Sequence, residues 1–195
     1  MLKPHRRMRF VAVLLCLTLP GVLLAAIPDV AAAVDADRQT TVLVTGANRG
    51  IGLEFVRQYA ARGWRVIATC RSPDSARELN ELAARDADIR VEQLDVTDAA
   101  SIEQLRAKYA DEPIDLLINN AALLGARAEQ SFAQQDFELA MQQYEVNALG
   151  PLRVSQAFLD NVRAAGPGKI IMLGSAAGSH GYLRPPADFY SYRAS

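Results

Sequence analysis

The chain has 195 residues, half of them apolar, and a net charge of −1 at pH 7. This length suffices for one domain with a real core, and the apolar fraction excludes a disordered chain. The near-neutral charge gives no support for nucleic-acid binding, since no basic stripe follows the extreme N-terminus. Two cysteines and two histidines lie far apart in sequence, so we expect no disulfide and no metal site among Cys16, Cys70, His5 and His180.

Residues 1–39 have the layout of a signal-like apolar segment followed by a linker. Basic residues from Lys3 to Arg9 precede an apolar run from Phe10 to Ile27, and alanine-rich candidate cleavage sites follow. This arrangement predicts a secretory signal peptide, with an uncleaved membrane anchor or a buried core helix as the alternatives. A signal peptide or a membrane anchor would lead to export or membrane association. If the start codon is misassigned, we expect a cytoplasmic location instead.

A glycine-rich run joins a predicted strand to a predicted helix. Thr41–Val44 is a short apolar stretch, and residues 53–60 have the spacing of an amphipathic helix. The run between them places glycines at positions 46, 50 and 52, where the backbone can turn sharply and approach a pyrophosphate. We therefore predict dinucleotide binding by Thr45, Gly46, Asn48, Arg49, Gly50, Ile51 and Gly52.

Later segments continue the alternation of strands and helices. Residues 64–70 form a second predicted strand, which completes the βαβ unit that the glycine motif requires. Ser72–Pro73 predicts a helix start. Further strands are predicted at 89–94, 114–118 and 168–173, and helices carry the apolar stripes Ile102, Leu105 and Tyr109; Phe137, Ala140, Met141 and Tyr144; and Val154, Ala157 and Phe158.

This alternation predicts an α/β fold, a Rossmann-like doubly wound parallel sheet with strand order 3-2-1-4-5. Ligands of such sheets bind outside the carboxyl ends of the strands. The glycine run, Arg71, Asp95, Asn119 and Ser175 all follow predicted strands and should lie at that edge.

Residues 41–195 resemble the short-chain dehydrogenase/reductase family. The resemblance is carried by glycines 46, 50 and 52, Asn119-Asn120-Ala121, Asn147, Ser175 and Tyr192, which occur in the family's order with similar separations. Within the family, the segments 190–195, 68–71 and 147–151 are similar to the sniffer-like carbonyl reductases. Residues 40–195 are thus expected to form an NAD(P)-binding Rossmann domain that lacks the family's later strands, and a complete chain could form a homo-oligomer.

Two arginines bear on the choice of cofactor. An acidic residue at the end of the second strand would bind a ribose 2′-hydroxyl and indicate NAD, but this chain has Cys70-Arg71 there. Arg49 and Arg71 could instead bind a 2′-phosphate, so we predict NADPH in preference to NAD.

The resemblance also implies roles for residues at the third and fourth strand ends. Asp95 and Val96 would lie beside the adenine, with a helix N-terminal acid as the alternative interpretation of Asp95. The segment Asn119-Asn120-Ala121 would support the sheet next to the cofactor, and Asn119 and Ala121 are the residues of it that we expect to bind the cofactor. The family has glycine where this chain has Ala122, which is acceptable only if that residue has a negative φ.

The catalytic set implied by the resemblance is Ser175, Tyr192 and Asn147. Ser175 would hold the carbonyl oxygen of a ketone or aldehyde, Tyr192 would donate a proton to it, and Asn147 would hold a relay water. Tyr190 is the competing tyrosine. We favour Tyr192 because the family's tyrosine is followed four positions later by a lysine, a position that falls just after Ser195.

Residues 1–195 do not include that lysine, and they do not include the sixth and seventh strands or the substrate loop that the resemblance implies. We therefore expect a truncated piece of an NADPH-dependent reductase that is inactive in this form and binds NADPH weakly. The alternative is a non-catalytic nucleotide-binding protein or a decayed fragment. The expected partner is a small carbonyl substrate, with no nucleic acid and no metal.

Overall fold

The structure is a computed structural model, and it describes residues 38–179, 181 and 188–195. The predicted signal segment falls almost entirely outside the described residues, as do Cys16, His5 and His180. Within the described ranges, no helix combines the length and the apolar character needed to cross a membrane.

Five parallel strands form one sheet, and in chain order they are β1 Thr41–Val44, β2 Arg65–Cys70, β3 Ile89–Gln93, β4 Leu116–Asn119 and β5 Lys169–Met172. Their order across the sheet is β3-β2-β1-β4-β5, which confirms the predicted topology. The inner strands β1, β2 and β4 are largely apolar and buried, as is typical of a parallel sheet covered on both faces, whereas the edge strands β3 and β5 include polar and exposed residues.

Seven α-helices are described, and the longer ones lie in the crossovers between the strands. They are α1 Gly50–Ala60, α2 Arg77–Ala83, α3 Ala99–Lys108, α4 Phe137–Tyr144, α5 Gly150–Ala157, α6 Leu159–Ala164 and α7 Tyr190–Ala194. A π-helical segment, Glu145–Leu149, joins α4 to α5. Short 3-10 helices lie at Pro73–Ser75, Arg127–Gln130, Phe132–Gln134 and Ala176–Gly178.

Alternate residues of each inner strand face two separate cores. Val42 and Val44 of β1 pack with Leu53 and Val56 of α1 on one face. On the other face, Leu43 packs with a second cluster whose fully buried members include Leu117, Val154 and Phe158. Because successive side chains of a strand point to opposite faces, apolar residues in succession require helices on both sides of the sheet.

Two sequence-based expectations about helices are wrong in detail. Ser72–Pro73 begins a 3-10 turn rather than an α-helix, and α2 begins only at Arg77. The reason is local, since the Pro73 carbonyl accepts hydrogen bonds from the Ala76 N–H and from Asn80 Nδ2, both at 2.9 Å. The stripe on α4 does not face the core, because Phe137, Met141 and Tyr144 are all exposed.

Candidate functional site

A cleft of about 610 Å³ opens at the carboxyl ends of β1 to β4. From β1 the chain adds β2 and β3 on one side of the sheet and then β4 and β5 on the other, so the strand order reverses next to β1. The cleft lies at this switch point, which is the usual ligand position in a doubly wound sheet. Of the predicted binding residues, the structure places ten on its wall: Gly46, Asn48, Arg49, Gly50, Ile51, Gly52, Arg71, Asp95, Val96 and Ala121.

The glycine turn has the backbone geometry of a phosphate cradle. Gly46 and Gly50 have φ angles of +66° and +58°, a conformation that other residues rarely adopt. A Cβ on Gly46 would lie 2.8 Å from Ala121 Cα, whereas the space beside Gly50 is open. In the described part of the chain, no side chain caps the start of α1 at Arg49. The first N–H groups of α1 are therefore free to bind an anion.

Asn120 and Thr45 hold this turn against the end of β4. The Nδ2 of Asn120 donates to the carbonyl oxygens of Thr45 at 2.8 Å and Gly46 at 3.1 Å. The buried hydroxyl of Thr45 accepts from the backbone N–H groups of Asn120 and Ala121, both at 3.0 Å. Thr45 does not line the cleft, but its hydrogen bonds to the end of β4 stabilise the turn on the side away from the cleft.

Asn119, in contrast to its neighbour, points away from the cleft. It is 3% exposed, and its Nδ2 lies 3.0 Å from Ser155 Oγ and 3.4 Å from Met172 Sδ. It therefore links β4 to α5 and β5. Of the two adjacent asparagines, Asn120 is the one on the cleft wall, and the prediction that named Asn119 missed it.

The end of β2 carries a cation and no carboxylate. Arg71 and Arg49 are exposed on the cleft wall, and the residues flanking Arg71 there are Cys70 and Ser72. Cys70 is a buried free thiol, and burial raises its pKa against the smaller lowering effect of a hydrogen bond from the Ser72 backbone. This wall can accept an anion beside a sugar.

Asp95 forms a local turn at the end of β3. Its Oδ1 accepts from the Thr97 N–H at 2.9 Å and from Thr97 Oγ1 at 2.7 Å. The residue that caps α3 is Asp98, whose carboxylate accepts from the Ala100 N–H at 2.9 Å. Asp95 precedes this cap by three residues and so lies outside the first turn of α3, which does not fit the alternative interpretation as a helix N-terminal acid. It lies on the cleft wall.

Other cleft residues were not predicted as binding residues. Each of them lies close in sequence to a residue that was predicted to belong to the site. They are Cys70, Ser72, Ser75, Leu94, Asn120, Ala122, Leu123 and Val146. Ala122 does not adopt the left-handed conformation, since Phe189 is the one described non-glycine residue with a positive φ. Its methyl group is thus compatible with the backbone there.

Asn147 lies within the π-helical segment and contacts the cleft wall through Leu123. Its Oδ1 accepts from the Leu123 N–H at 2.7 Å, and its Nδ2 donates to the Leu123 carbonyl at 3.0 Å. Nδ2 also donates to Ser195 Oγ at 2.8 Å, and that hydroxyl donates to the Tyr192 carbonyl at 3.0 Å. Such π-helical segments are frequent at functional sites, and this one directs Asn147 toward α7.

Ser175 lies in the turn that follows β5, and Tyr192 lies on α7. The Ser175 hydroxyl accepts from the Ala177 N–H at 3.1 Å, and the residue is exposed. Arg193 connects this turn to α7, because its Nη1 donates to the Ala177 carbonyl at 2.8 Å. Its Nε donates to the Asp188 carbonyl at 2.7 Å. None of Ser175, Tyr192 and Asn147 lines the cleft itself.

The residues present fit a nicotinamide dinucleotide. The open space at Gly50, the uncapped start of α1 and the two arginines suit a pyrophosphate and a further phosphate on the adenosine side. The cleft also extends to Leu123 and Val146, next to Asn147. Parallel topology, glycine turn and cleft together define a nucleotide-binding α/β protein.

Residues 40–195 match the family model of the short chain dehydrogenases, and the chain belongs to that family. Among curated relatives, it is 35% identical to mouse retinol dehydrogenase 13 over 152 residues, 73% of this chain and 43% of that protein. It is 38% identical over 144 residues, 72% of this chain, to the uncharacterized oxidoreductase YusZ of Bacillus subtilis. The chain spans about half the length of these relatives, since the YusZ match covers 50% of that protein.

Solved structures share the fold. An NADPH-bound carbonyl reductase from chicken fatty liver has 36% identity and a TM-score of 0.73, over 80% of this chain and 68% of that one. The carbonyl reductase Sniffer of Drosophila melanogaster has a TM-score of 0.72 over 80% of this chain and 69% of that one. At 23% identity, Sniffer supports the fold alone.

Proposed function

We propose that the protein is an NADPH-dependent reductase of ketones or aldehydes. The observation that carries this proposal is the cleft. Its wall combines the start of α1, which no side chain caps, with Arg49 at the N-cap position and Arg71, and no carboxylate ends β2. The NADPH-bound chicken carbonyl reductase supports the same reading of the cofactor and of the substrate class.

The adenosine end of the cleft would distinguish NADPH from NADH. A guanidinium group can donate two parallel hydrogen bonds to a phosphate, and it gains nothing comparable from a hydroxyl. Arg71 follows β2, and Arg49 precedes the second glycine of the turn. Both side chains are exposed on the cleft wall, so a 2′-phosphate can reach them without burying an unpaired charge.

At the nicotinamide end of the cleft, side chains of this chain would supply a proton to the substrate. When bound, the cofactor supplies the hydride for carbonyl reduction. The Ser175 hydroxyl would donate a hydrogen bond to the carbonyl oxygen and fix its position. The Tyr192 phenol would donate the proton that this oxygen needs. Asn147 would hold the segment around Leu123 and a water that returns a proton to Tyr192.

The test is turnover by the complete product of the gene that encodes these residues. NADPH oxidation is followed with a panel of ketones and aldehydes for the wild type, Tyr192→Phe and the matched control Tyr190→Phe. Tyr192→Phe should lose at least about a hundredfold in kcat because a general acid is removed, whereas Tyr190→Phe should keep most of it. Tyr190 is an exposed residue that lies against Phe132, so its hydroxyl is dispensable in this account.

Two outcomes would contradict the proposal. A dead Tyr190→Phe with an active Tyr192→Phe would show that the proton donor is assigned to the wrong tyrosine. NADPH binding without turnover of any carbonyl in the panel would favour the alternative, a non-catalytic nucleotide-binding protein.

A further inference from the structure

A fully buried glutamine connects three segments around the proposed catalytic residues. Gln130 ends the 3-10 helix Arg127–Gln130 and has no exposed surface. Its Nε2 donates to the carbonyl oxygens of Leu124 at 2.7 Å and Ala126 at 3.0 Å. Both N–H bonds of the amide are thus directed at the segment that follows β4.

The oxygen of the same amide faces three donors. Gln130 Oε1 accepts from Gln143 Nε2 at 3.0 Å, from Ser191 Oγ at 3.3 Å and from the backbone N–H of Tyr192 at 3.2 Å. The orientation of the amide is determined by these neighbours, because a flipped amide would turn its N–H groups toward donors and its oxygen toward carbonyls. We call Gln130 and these five partners the Gln130 junction.

The junction is reinforced on both sides. On α4, Gln143 is also fully buried and donates to the Leu124 carbonyl at 2.6 Å. On α7, the Ser191 hydroxyl accepts from Gln135 Nε2 at 3.2 Å. The segment after β4 and the first turn of α7 therefore share one buried amide as their common support.

The junction and Asn147 support the same two segments from different directions. Asn147 binds both backbone groups of Leu123, one residue before the Leu124 carbonyl that Gln130 and Gln143 bind. Asn147 also reaches the Tyr192 carbonyl through Ser195 Oγ, while Gln130 holds the Tyr192 N–H. The backbone of Tyr192 is thus fixed at both its N–H and its carbonyl.

We propose that Gln130 is a positioning residue, which sets the place of Tyr192 relative to the nicotinamide end of the cleft. This inference rests on the proposed function, since it assigns Gln130 a part in the same proton transfer. Gln130 does not line the cleft, so it would act through Tyr192 and not on the cofactor itself. A misplacement of about 1 Å at such a group is enough to lower a rate about a hundredfold.

The variant that tests this inference is Gln130→Met, which keeps an unbranched side chain of similar length and removes every hydrogen bond of the amide. Ser191→Ala is a milder variant that removes only the hydroxyl between Gln130 and Gln135. Gln134→Met is the matched control, because Gln134 is an exposed glutamine in the neighbouring 3-10 helix.

The measurement is the nuclear magnetic resonance signal of the Tyr192 ring Cζ in the complete gene product labelled with carbon-13 at tyrosine Cζ. Tyr192→Phe assigns the signal. Saturating NADP⁺, whose nicotinamide ring is positively charged, should shift it in the wild type and in Gln134→Met. In Gln130→Met the shift should fall to less than about half, because the phenol is no longer held at one distance from the ring.

The affinity for NADP⁺ is the internal reference. It should stay within about twofold of the wild type in Gln130→Met, because the glycine turn and Arg71 share no partner with the junction. Ser191→Ala should give an intermediate shift, and it decides the question if Gln130→Met fails to fold.

The outcomes separate the two proposals. A wild-type shift retained in full by Gln130→Met, or by Ser191→Ala if the first variant does not fold, would overturn the positioning role and leave the proposed function intact. A wild-type Tyr192 signal that does not respond to bound NADP⁺ would contradict the proposed function, and the positioning role with it.

Discussion

Gly52 lies directly against the carbonyl oxygen of Gly46, so a Cβ on Gly52 would overlap that oxygen. The same Cβ would lie 2.5 Å from Asn120 Nδ2, which donates to the Gly46 carbonyl. The first turn of α1 can therefore approach the end of β1 only because position 52 has no side chain. This contact sets the shape of the turn on which the proposed cofactor site depends.

Gly52→Ala should abolish most NADPH binding, with at least a tenfold rise in the dissociation constant. The methyl group must displace either the Gly46 carbonyl or Asn120, and both shape the turn. Fluorescence titration of NADPH gives the affinity, and urea unfolding gives the stability.

Gly63→Ala is the control for that substitution. Gly63 has a φ of +73° with open space around it, at the end of the turn after α1. Alanine there should cost about 1–2 kcal/mol of unfolding free energy through backbone strain and leave NADPH affinity unchanged. Equal NADPH affinities for the two variants would contradict the role given to the Gly52 contact.

The adjacent residues Asn119 and Asn120 should differ in what their loss costs. Asn120→Ala removes the two hydrogen bonds to the Thr45 and Gly46 carbonyls, so NADPH affinity should fall severalfold. Asn119→Ala removes a buried contact to α5 and β5, so the unfolding free energy should fall by about 1–3 kcal/mol with little change in affinity. NADPH titration and urea unfolding are applied to both variants. A loss of affinity in Asn119→Ala together with a loss of stability alone in Asn120→Ala would contradict this assignment.

A paired carboxylate at the opposite end of the sheet predicts acid sensitivity. Arg38 donates to both oxygens of Asp115, at 2.7 Å and 2.9 Å, and the Thr41 N–H donates to Oδ2 at 2.7 Å. Burial alone would raise the pKa of Asp115, but the hydrogen bonds and the charge of Arg38 outweigh it, so the pKa lies below its usual value.

Because the folded-state pKa is the lower one, Asp115 stabilises the fold fully above its unfolded pKa of about 3.9. That contribution is lost as the pH falls through the folded-state value. Asp115→Asn should lower the unfolding free energy at pH 7 and flatten its decline in acid, as measured by urea unfolding between pH 7 and pH 2. The exposed Asp111→Asn is the control. A decline in acid as steep in Asp115→Asn as in the wild type would contradict the pairing argument.

The fold could be predicted because its signals are local. Apolar strands, glycines 46, 50 and 52 and the repeated strand–helix alternation fix the sheet order through general rules of chain connection. Boundaries were less accurate, as at Ser72–Pro73, because the competition between an α-helix and a 3-10 turn was settled by the Asn80 side chain seven residues later.

The parts of the site that were missed depend on contacts between distant segments. Sequence spacing could not tell which of Asn119 and Asn120 faces the cleft, because a one-residue change of strand end exchanges their faces. Gln130 gave no signal at all, since glutamines are normally exposed and its partners lie up to 62 residues away. The stripe on α4 was misplaced because an apolar spacing indicates one face of a helix but not what covers it.

The central claim is that Arg71 and Arg49 select NADPH at the adenosine end of the cleft, and titration with both cofactors tests it most directly. Dissociation constants for NADPH and NADH are measured by nucleotide fluorescence for the wild type, Arg71→Asp and Arg85→Asp. Arg85→Asp is the control, because it makes the same charge change at an exposed residue that follows the end of α2. The wild type and the control should bind NADPH at least about tenfold more tightly than NADH, and Arg71→Asp should lose or reverse that preference. Equal wild-type affinities for the two cofactors, or a preference that survives Arg71→Asp, would contradict the account.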